Sequence, residues 1–562
     1  MRNFTTNTIK QQNQLGAGRI GAAGAGPVTR ARDALAAAYE LFDASAAREE
    51  SRELARDLID ILRGNSDITI DPKDKRFQDP AWRENPFFRR LGQAYFALCE
   101  AVEHSIHTEK NWRDHERAEI LSDLITSTLS PTNLLFTNPT ALRRARETRG
   151  KSVLIGLKNF VEDVRHNGGM PRHVDRDAFV VGKDLGISPG AVVFRNEVLE
   201  IIQYKPQCKK VYKRPILVMS PQINKFYFMD LAPGKSFVEY ASKHGVQVFV
   251  VSWRNPGKQH AHWNFDTYVA ALLEAVDAVC DITNSRDLNT MGFCAGGITM
   301  SAMLGYMADQ GDNRVNAICY AVTLLDFDVP TMVGALNSEH VLEQSKKNSR
   351  KKGVLEGKDL KSLFAWFRPN DLVWGFWVNN YLMGNAPPKF DILSWNNDST
   401  NLPAGLHNDF LNMFSDNPFP NPGRLKVMGS PVDLGRLKMD AFVTGAITDH
   451  LTPWKACYRT TQLLGGDSRF LLSNAGHVAS LVNPPGNPKA SYFRYDTDNP
   501  PADPDKWLEQ AREEQGSWWE YWLEWIQPRS GEQKNAPRKL GNKKYPALDP
   551  APGTYVFEEP KI

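Results

Sequence analysis

The sequence predicts an α/β protein with a mostly parallel central sheet, a helical region before it and a helical cap inserted within it. Three observations carry that expectation. From residue 215 onward, short apolar runs recur at 216–219, 246–252, 288–293, 317–325, 441–446 and 470–473, with amphipathic stretches between them at 237–244, 266–282, 295–308 and 453–464. Strands buried on both faces and joined by crossover helices read this way. Before residue 178 the apolar residues fall mainly at helical spacing. Between about 330 and 431 the alternation stops, and Phe364, Trp366, Phe367, Trp374, Phe376, Trp377, Tyr381 and Trp395 supply too much aromatic surface for a solvated loop.

Taken in order, residues 1–27 are rich in Gly, Ala, Gln and Asn without apolar periodicity and read as a flexible tail. Residues 28–177 read as a mainly helical domain. Ala34, Leu35, Ala38, Tyr39, Leu41 and Phe42, then Leu54, Leu58 and Leu62, recur at three-and-four spacing before a stop at Gly64-Asn65. Phe77, Trp82, Pro86, Phe87 and Phe88 form an aromatic, proline-interrupted segment expected to pack locally. Helices are expected near 96–107, 117–128 and 140–164, and the turn cluster His166-Asn167-Gly168-Gly169-Met170-Pro171 marks a boundary.

Residues 178–527 read as the sheet domain, with the cap at about 330–431. Its first part, 178–203, is strand-like with turns at Gly186 and Gly190, and is expected to pair as an antiparallel edge. Trp518, Trp519, Trp522 and Trp525 recur near helical spacing, as on a helix face docked on its own domain. Residues 528–562 read as an extended C-terminal tail.

Composition narrows the class. A chain of 562 residues exceeds one ordinary core, and 41% hydrophobic with 24% charged residues is the balance of a folded globular protein. A net charge of +3 gives no nucleic-acid footprint. The first sixteen residues contain no apolar signal core, and no apolar run approaches the roughly 18 to 20 residues that span a bilayer, so a cytoplasmic protein without a transmembrane segment is expected. In that compartment Cys99, Cys208, Cys280, Cys294, Cys319 and Cys457 should be reduced; their spacing offers no C-x-x-C pair and no metal site.

One of these thiols stands in a motif. Gly292-Phe293-Cys294-Ala295-Gly296 reads G-x-C-x-G, with an apolar entry from Leu288 and a helical exit from Ile298. In the nucleophile elbow of α/β-hydrolases, G-x-S-x-G places a serine on a strained strand-to-helix turn; here a thiol takes its place. The fold orders its triad nucleophile, acid, histidine. Asp449 follows the 441–446 strand and precedes Pro453, which suits a first helical turn; His477 follows the 470–473 strand in Asn474-Ala475-Gly476-His477. Asp326 and Asp328 are rival acids. His450 is a rival base, though sequence neighbours such as Asp449 and His450 usually point apart. The oxyanion hole needs the N–H of Ala295 and a second from the loop after 216–219. Pro221 has no N–H, which leaves Gln222 or Ile223.

Gly292-Phe293-Cys294-Ala295-Gly296-Gly297, Pro221-Gln222-Ile223-Asn224-Lys225-Phe226-Tyr227, Val251-Ser252-Trp253-Arg254-Asn255-Pro256, Trp395-Asn396-Asn397-Asp398, Asp449-His450 with Pro453-Trp454, and Gly476-His477 with Asn483-Pro484-Pro485 together resemble a bacterial polyhydroxyalkanoate synthase. Arg368-Pro369-Asn370-Asp371-Leu372 and Leu540-Gly541-Asn542-Lys543-Lys544-Tyr545-Pro546 make it most similar to the single-subunit Pseudomonas type. The resemblance spans about residues 77–555.

The resemblance implies an acyltransferase that polymerises (R)-3-hydroxyacyl-CoA into polyester and releases CoA, with Cys294 carrying the acyl group, His477 as base and Asp449 as its acid. It implies no cofactor, since the CoA thioester is the substrate. Its partners are then the growing chain and granule surface, in a cytoplasmic homodimer. Ala479 departs from the pattern: the Pseudomonas type often has Gln there, and enzymes preferring shorter monomers often have Ala, so monomer length stays open. Two other readings use the same residues: a cysteine-type thioesterase or esterase, and a non-catalytic granule-coating protein for which Cys294 is dispensable.

Overall fold

The computed structural model describes residues 46–106, 111–175, 177–335, 339–497 and 499–560. The expected tail at 1–27 and the expected helical start at 34–45 lie outside them.

Ten strands form one sheet: β1 (Gly190–Arg195), β2 (Leu199–Tyr204), β3 (Ile216–Met219), β4 (Val248–Trp253), β5 (Leu288–Phe293), β6 (Val315–Ala321), β7 (Asp440–Ala446), β8 (Ser468–Ser473), β9 (Ser491–Arg494) and β10 (Arg512–Gln515). Their spatial order is β1-β2-β4-β3-β5-β6-β7-β8-β9-β10. The six central strands, β4 to β8 in that order, are parallel; the edge pairs are antiparallel. The apolar runs are continuous because both faces are covered. Leu217, Met219, Phe249 and Val251 face a core shared with helices Phe265–Thr283, Ala295–Asp309 and Trp454–Leu463. Ile216, Val218, Val248 and Val250 face another, shared with Phe237–Lys243 and Trp518–Ile526.

Several details differ from the sequence expectations. The fourth run, 317–325, stops as a strand at Ala321, four residues early, because Val322 turns to φ 45°. In this sheet two strands follow the expected last one, each only four residues long: Ser491–Arg494, paired on both sides, and the polar edge piece Arg512–Gln515. The helix expected from residue 96 begins at Pro86, where the Asn85 side chain accepts the Phe87 N–H at 2.9 Å and proline occupies the first turn. The stretch 140–164 is two helices, Pro139–Glu147 and Lys151–His166, parted by positive φ at Arg149 and Gly150.

Between β6 and β7 the insert contains helices Glu339–Lys352, Gly357–Trp366, Asp391–Asn397 and Ala404–Asp416, with π-helical turns at Asn370–Trp374 and Val378–Leu382. It docks on the N-terminal helices. The ring of Phe160 meets Trp377 and Tyr381 edge-on, and the Tyr381 hydroxyl donates to Asp163 at 2.8 Å. The C-terminal stretch from residue 528 is bound to the sheet domain along its length. Gln533–Asn535 pairs with Lys210–Tyr212, Val192 N–H donates to the Asp549 carbonyl at 2.8 Å, and Tyr555 and Val556 are buried.

Candidate active site

Strand β5 ends at Phe293 and the helix Ala295–Asp309 begins two residues later, so Cys294 alone makes the turn. Its backbone sits at φ 48°, ψ −123°, a conformation L-residues rarely adopt. Neighbours hold it there: Cys294 N–H donates to the Ala321 carbonyl at 3.0 Å, and the Cys294 carbonyl accepts from Gly297 N–H at 3.0 Å. The flanking glycines are steric necessities. A Cβ on Gly292 would lie 2.5 Å from Gly297 Cα, and one on Gly296 would lie 2.4 Å from the Met219 carbonyl oxygen. The second contact shows that the elbow presses against the end of β3 and the loop leaving it.

Asp449 follows β7, and the chain folds back on it. Its Oδ1 accepts Leu451 and Thr452 N–H, both at 2.9 Å, and its Oδ2 accepts the Thr452 hydroxyl at 2.6 Å. His477 Nδ1 lies 2.6 Å from the same Oδ2. Burial opposes charge on Asp449, but His477 and these hydrogen bonds hold its pKa below the ordinary carboxylate value. For His477, burial likewise opposes charge, yet Asp449 and then Cys294 raise the pKa to about 10. Cys294 is among the groups that favour the charged ring, so the sulfur and the imidazole lie near each other. With Nδ1 turned to Asp449, Nε2 is the nitrogen left for the thiol. The structure thus brings Cys294, His477 and Asp449 together.

The two rival acids are engaged elsewhere. Asp326 is buried and pairs with Arg459 at 3.2 Å and Asn417 at 2.9 Å; Asp328 is exposed and pairs with Arg113 at 3.0 Å. Burial, then the charge of Arg368, pushes the His450 pKa down to about 4, so its ring is neutral at physiological pH.

The loop after β3 lies beside the elbow. Gln222 Nε2 donates to the Thr299 hydroxyl at 2.8 Å, and that hydroxyl donates to the Ala295 carbonyl at 3.2 Å. Ala295 is the first residue of its helix, so its N–H has no acceptor within the helix. The carbonyls of Gln222 and Ile223 both accept from Thr400 of the insert, at 2.5 Å from its hydroxyl and 3.0 Å from its N–H. A peptide unit is planar and trans, so holding the Gln222 carbonyl turns the Ile223 N–H the opposite way.

Sequence reasoning missed three participants. Thr452 bonds Asp449 and lies 3.2 Å from His477 Nδ1; the Asp-x-x-Thr spacing was the available cue. Thr323 donates to the Cys294 carbonyl at 3.3 Å and left no cue. The tryptophan helix does more than dock. Trp518 and Trp519 indole N–H groups donate to the carbonyls of Ser480 and Leu481 at 2.6 and 3.2 Å, securing the open end of the short helix His477–Leu481. Among the described residues no cluster could hold a metal ion, and no helix is long and apolar enough to cross a membrane.

Residues 73–241 match the family described as the poly-beta-hydroxybutyrate polymerase N-terminus, and residues 230–484 match the α/β-hydrolase fold. Poly(3-hydroxyalkanoate) polymerase 1 of Ectopseudomonas oleovorans is 48% identical over 503 residues, covering 89% of each chain. The chain belongs to the poly(3-hydroxyalkanoate) polymerase family. Polymerase 2 of the same organism is also 48% identical, over 88% of this chain and 89% of its own. The poly(3-hydroxyalkanoate) polymerase subunit PhaC of Cupriavidus necator is 37% identical over 88% of this chain and 85% of its own. Within this polymerase family member, Cys294, Asp449 and His477 all fall in the part that matches the α/β-hydrolase fold.

Proposed function

We propose that the protein polymerises (R)-3-hydroxyacyl-CoA into polyester through an acyl group carried on Cys294. The observation that carries this reading is the Cys294–His477–Asp449 line at the nucleophile elbow of a chain 48% identical to a poly(3-hydroxyalkanoate) polymerase.

In the first half-reaction His477 Nε2 takes the Cys294 proton and the thiolate attacks the substrate's thioester carbonyl. The S–C bond to Cys294 forms, the oxyanion is met by Ala295 N–H and by Gln222 or Ile223 N–H, and the C–S bond to CoA breaks. The imidazolium returns its proton to the departing CoA thiolate. In the second, His477 accepts the proton of a 3-hydroxyl, the alkoxide attacks the acyl group, and an ester forms as the bond to sulfur breaks. Asp449 keeps Nδ1 protonated and stabilises the imidazolium at both stages. A thioester exchanged for a thioester stays near the substrate in energy, so the acyl-enzyme remains a competent donor.

Water must lose the competition for that acyl group. The aromatic insert supports this by covering the oxyanion loop from above, through Thr400 and through the Trp395 indole on the Lys225 carbonyl at 2.7 Å. An insoluble product favours a protein at the surface of a polyester granule in the cytoplasm; the homodimer is part of the same proposal and rests on the family resemblance alone.

The test is incubation with 3-hydroxyacyl-CoA substrates of several chain lengths. Free CoA, insoluble polymer and an acyl adduct on Cys294 are expected. Free CoA with monomeric hydroxy acid would make the protein a thioesterase; polymer binding that survives Cys294→Ala with no CoA release would make it a granule-coating protein.

A further inference from the structure

We infer that Lys225 is a positioning residue, whose buried ammonium ties the oxyanion loop to the C-terminal segment and so sets the loop's amides for the tetrahedral intermediate. This rests on the function proposed above.

The loop leaves β3 at Ser220 and ends at Lys225, where a short turn of 3-10 helix, Phe226–Met229, begins. One of its sides is held by the insert, through Thr400 on the carbonyls of Gln222 and Ile223 and Trp395 on the carbonyl of Lys225. The other hold comes from the far end of the chain. Lys225 is 4% exposed, and its Nζ donates to the Val556 carbonyl at 2.8 Å. A buried ammonium is costly unless it is hydrogen-bonded and sits in a negative field. Here Val556 supplies the bond, while Asp398, Glu559 and Glu558 supply the field.

The Val556 carbonyl is itself well anchored. Thr554 and Tyr555 N–H donate to the wholly buried Glu200 carboxylate at 3.0 and 3.1 Å, and the Thr554 hydroxyl adds a third bond at 2.8 Å. The Arg254 guanidinium lies 4.0 Å over the Tyr555 ring and pairs with Glu558 at 3.1 Å. Residues more than 300 positions apart thus meet on one six-residue loop, and its amides are set only when the insert and the C-terminal segment are both in place. Without the Lys225 bond the loop keeps its holds on the insert, on Thr299 and on β4, but its last residue loses its tie to the C-terminal segment. A displacement of about 1 Å at such a site costs about a hundredfold in rate.

A purely structural role is separable because two reactions use the same sulfur differently. Acylation by a thioester builds an oxyanion; alkylation by iodoacetamide displaces iodide and builds none. In Lys225→Met, acylation of Cys294 in a single turnover of 3-hydroxyacyl-CoA should fall about tenfold to a hundredfold, with KM and the alkylation rate unchanged. Glu200→Gln, remote from the loop, should give a smaller fall of the same kind and serves if Lys225→Met does not fold. Equal losses of acylation and alkylation in both variants, or acylation at the wild-type rate, overturn the inference. Absence of any acyl adduct on wild-type Cys294 overturns the proposed function first and this inference with it.

Discussion

His477 Nδ1 lies 2.6 Å from Asp449 Oδ2, joining the ends of two adjacent parallel strands into one charged pair. Each partner favours the charged form of the other against the cost of burial. His477, raised to about 10, contributes stability fully below its ordinary value of 6.5 and loses it as pH rises through about 10. Asp449, lowered from 3.8, contributes stability above that value and loses it as pH falls through its own pKa. The stability difference between wild type and Asp449→Asn should therefore be greatest from about pH 4 to 6.5 and shrink toward pH 10, as read by denaturant titration. Acyl transfer by the variant should fall about 10²- to 10⁴-fold.

Trp518→Phe keeps most of the buried ring but removes the N–H that the Ser480 carbonyl accepts. A buried carbonyl left without its donor costs about 1–3 kcal/mol. Because that carbonyl belongs to the helix that begins with His477, kcat should fall by more than the loss in folding stability predicts. Thermal denaturation alongside steady-state kinetics checks this.

Two glycines separate packing at the elbow from packing of the insert. Gly296→Ala places a methyl against the Met219 and Ser220 carbonyl oxygens, at 2.4 and 2.6 Å, and should destabilise by about 1–3 kcal/mol while displacing the loop Ser220–Lys225. Gly156→Ala places one 1.8 Å from the Tyr381 carbonyl oxygen, so the insert must lift from the N-terminal helix. Limited proteolysis should then cut within the insert sooner in Gly156→Ala than in Gly296→Ala.

Asp230 is buried at the end of the 3-10 turn Phe226–Met229 and accepts from the Ser188 N–H at 2.9 Å and from the Ser236 hydroxyl at 2.7 Å. Burial outweighs these bonds and raises its pKa from 3.8 to about 6. The folded protein therefore holds this proton longer than the unfolded chain, and stability falls as pH rises from about 4 through 6. Asp230→Asn should gain roughly 3 kcal/mol relative to wild type across that interval. Parallel urea titrations at pH 4 and pH 7 measure the difference.

Much of this protein was legible without coordinates. The runs at 216–219 and 288–293 coincide with β3 and β5 because a strand covered on both faces must be apolar throughout. The elbow was legible because its glycines answer a local need for space, and Asp449 and His477 were legible as candidates because each closes a strand. The four-residue strands β9 and β10 and the start of the helix at Pro86 were less so, since such short strands and proline caps leave no periodic trace.

What the sequence by itself determined was the set of elements and the residues with chemistry to offer, because periodicity and turn preferences act over a few neighbouring positions. Tertiary structure alone decided which of them meet: Thr452 on Asp449, Trp518 on the His477 helix, and Lys225 on Val556. A hydrogen bond fails over a fraction of an ångström or a modest change of angle. Partners from distant parts of the chain satisfy that tolerance only once the sheet order and the cores on both its faces are in place.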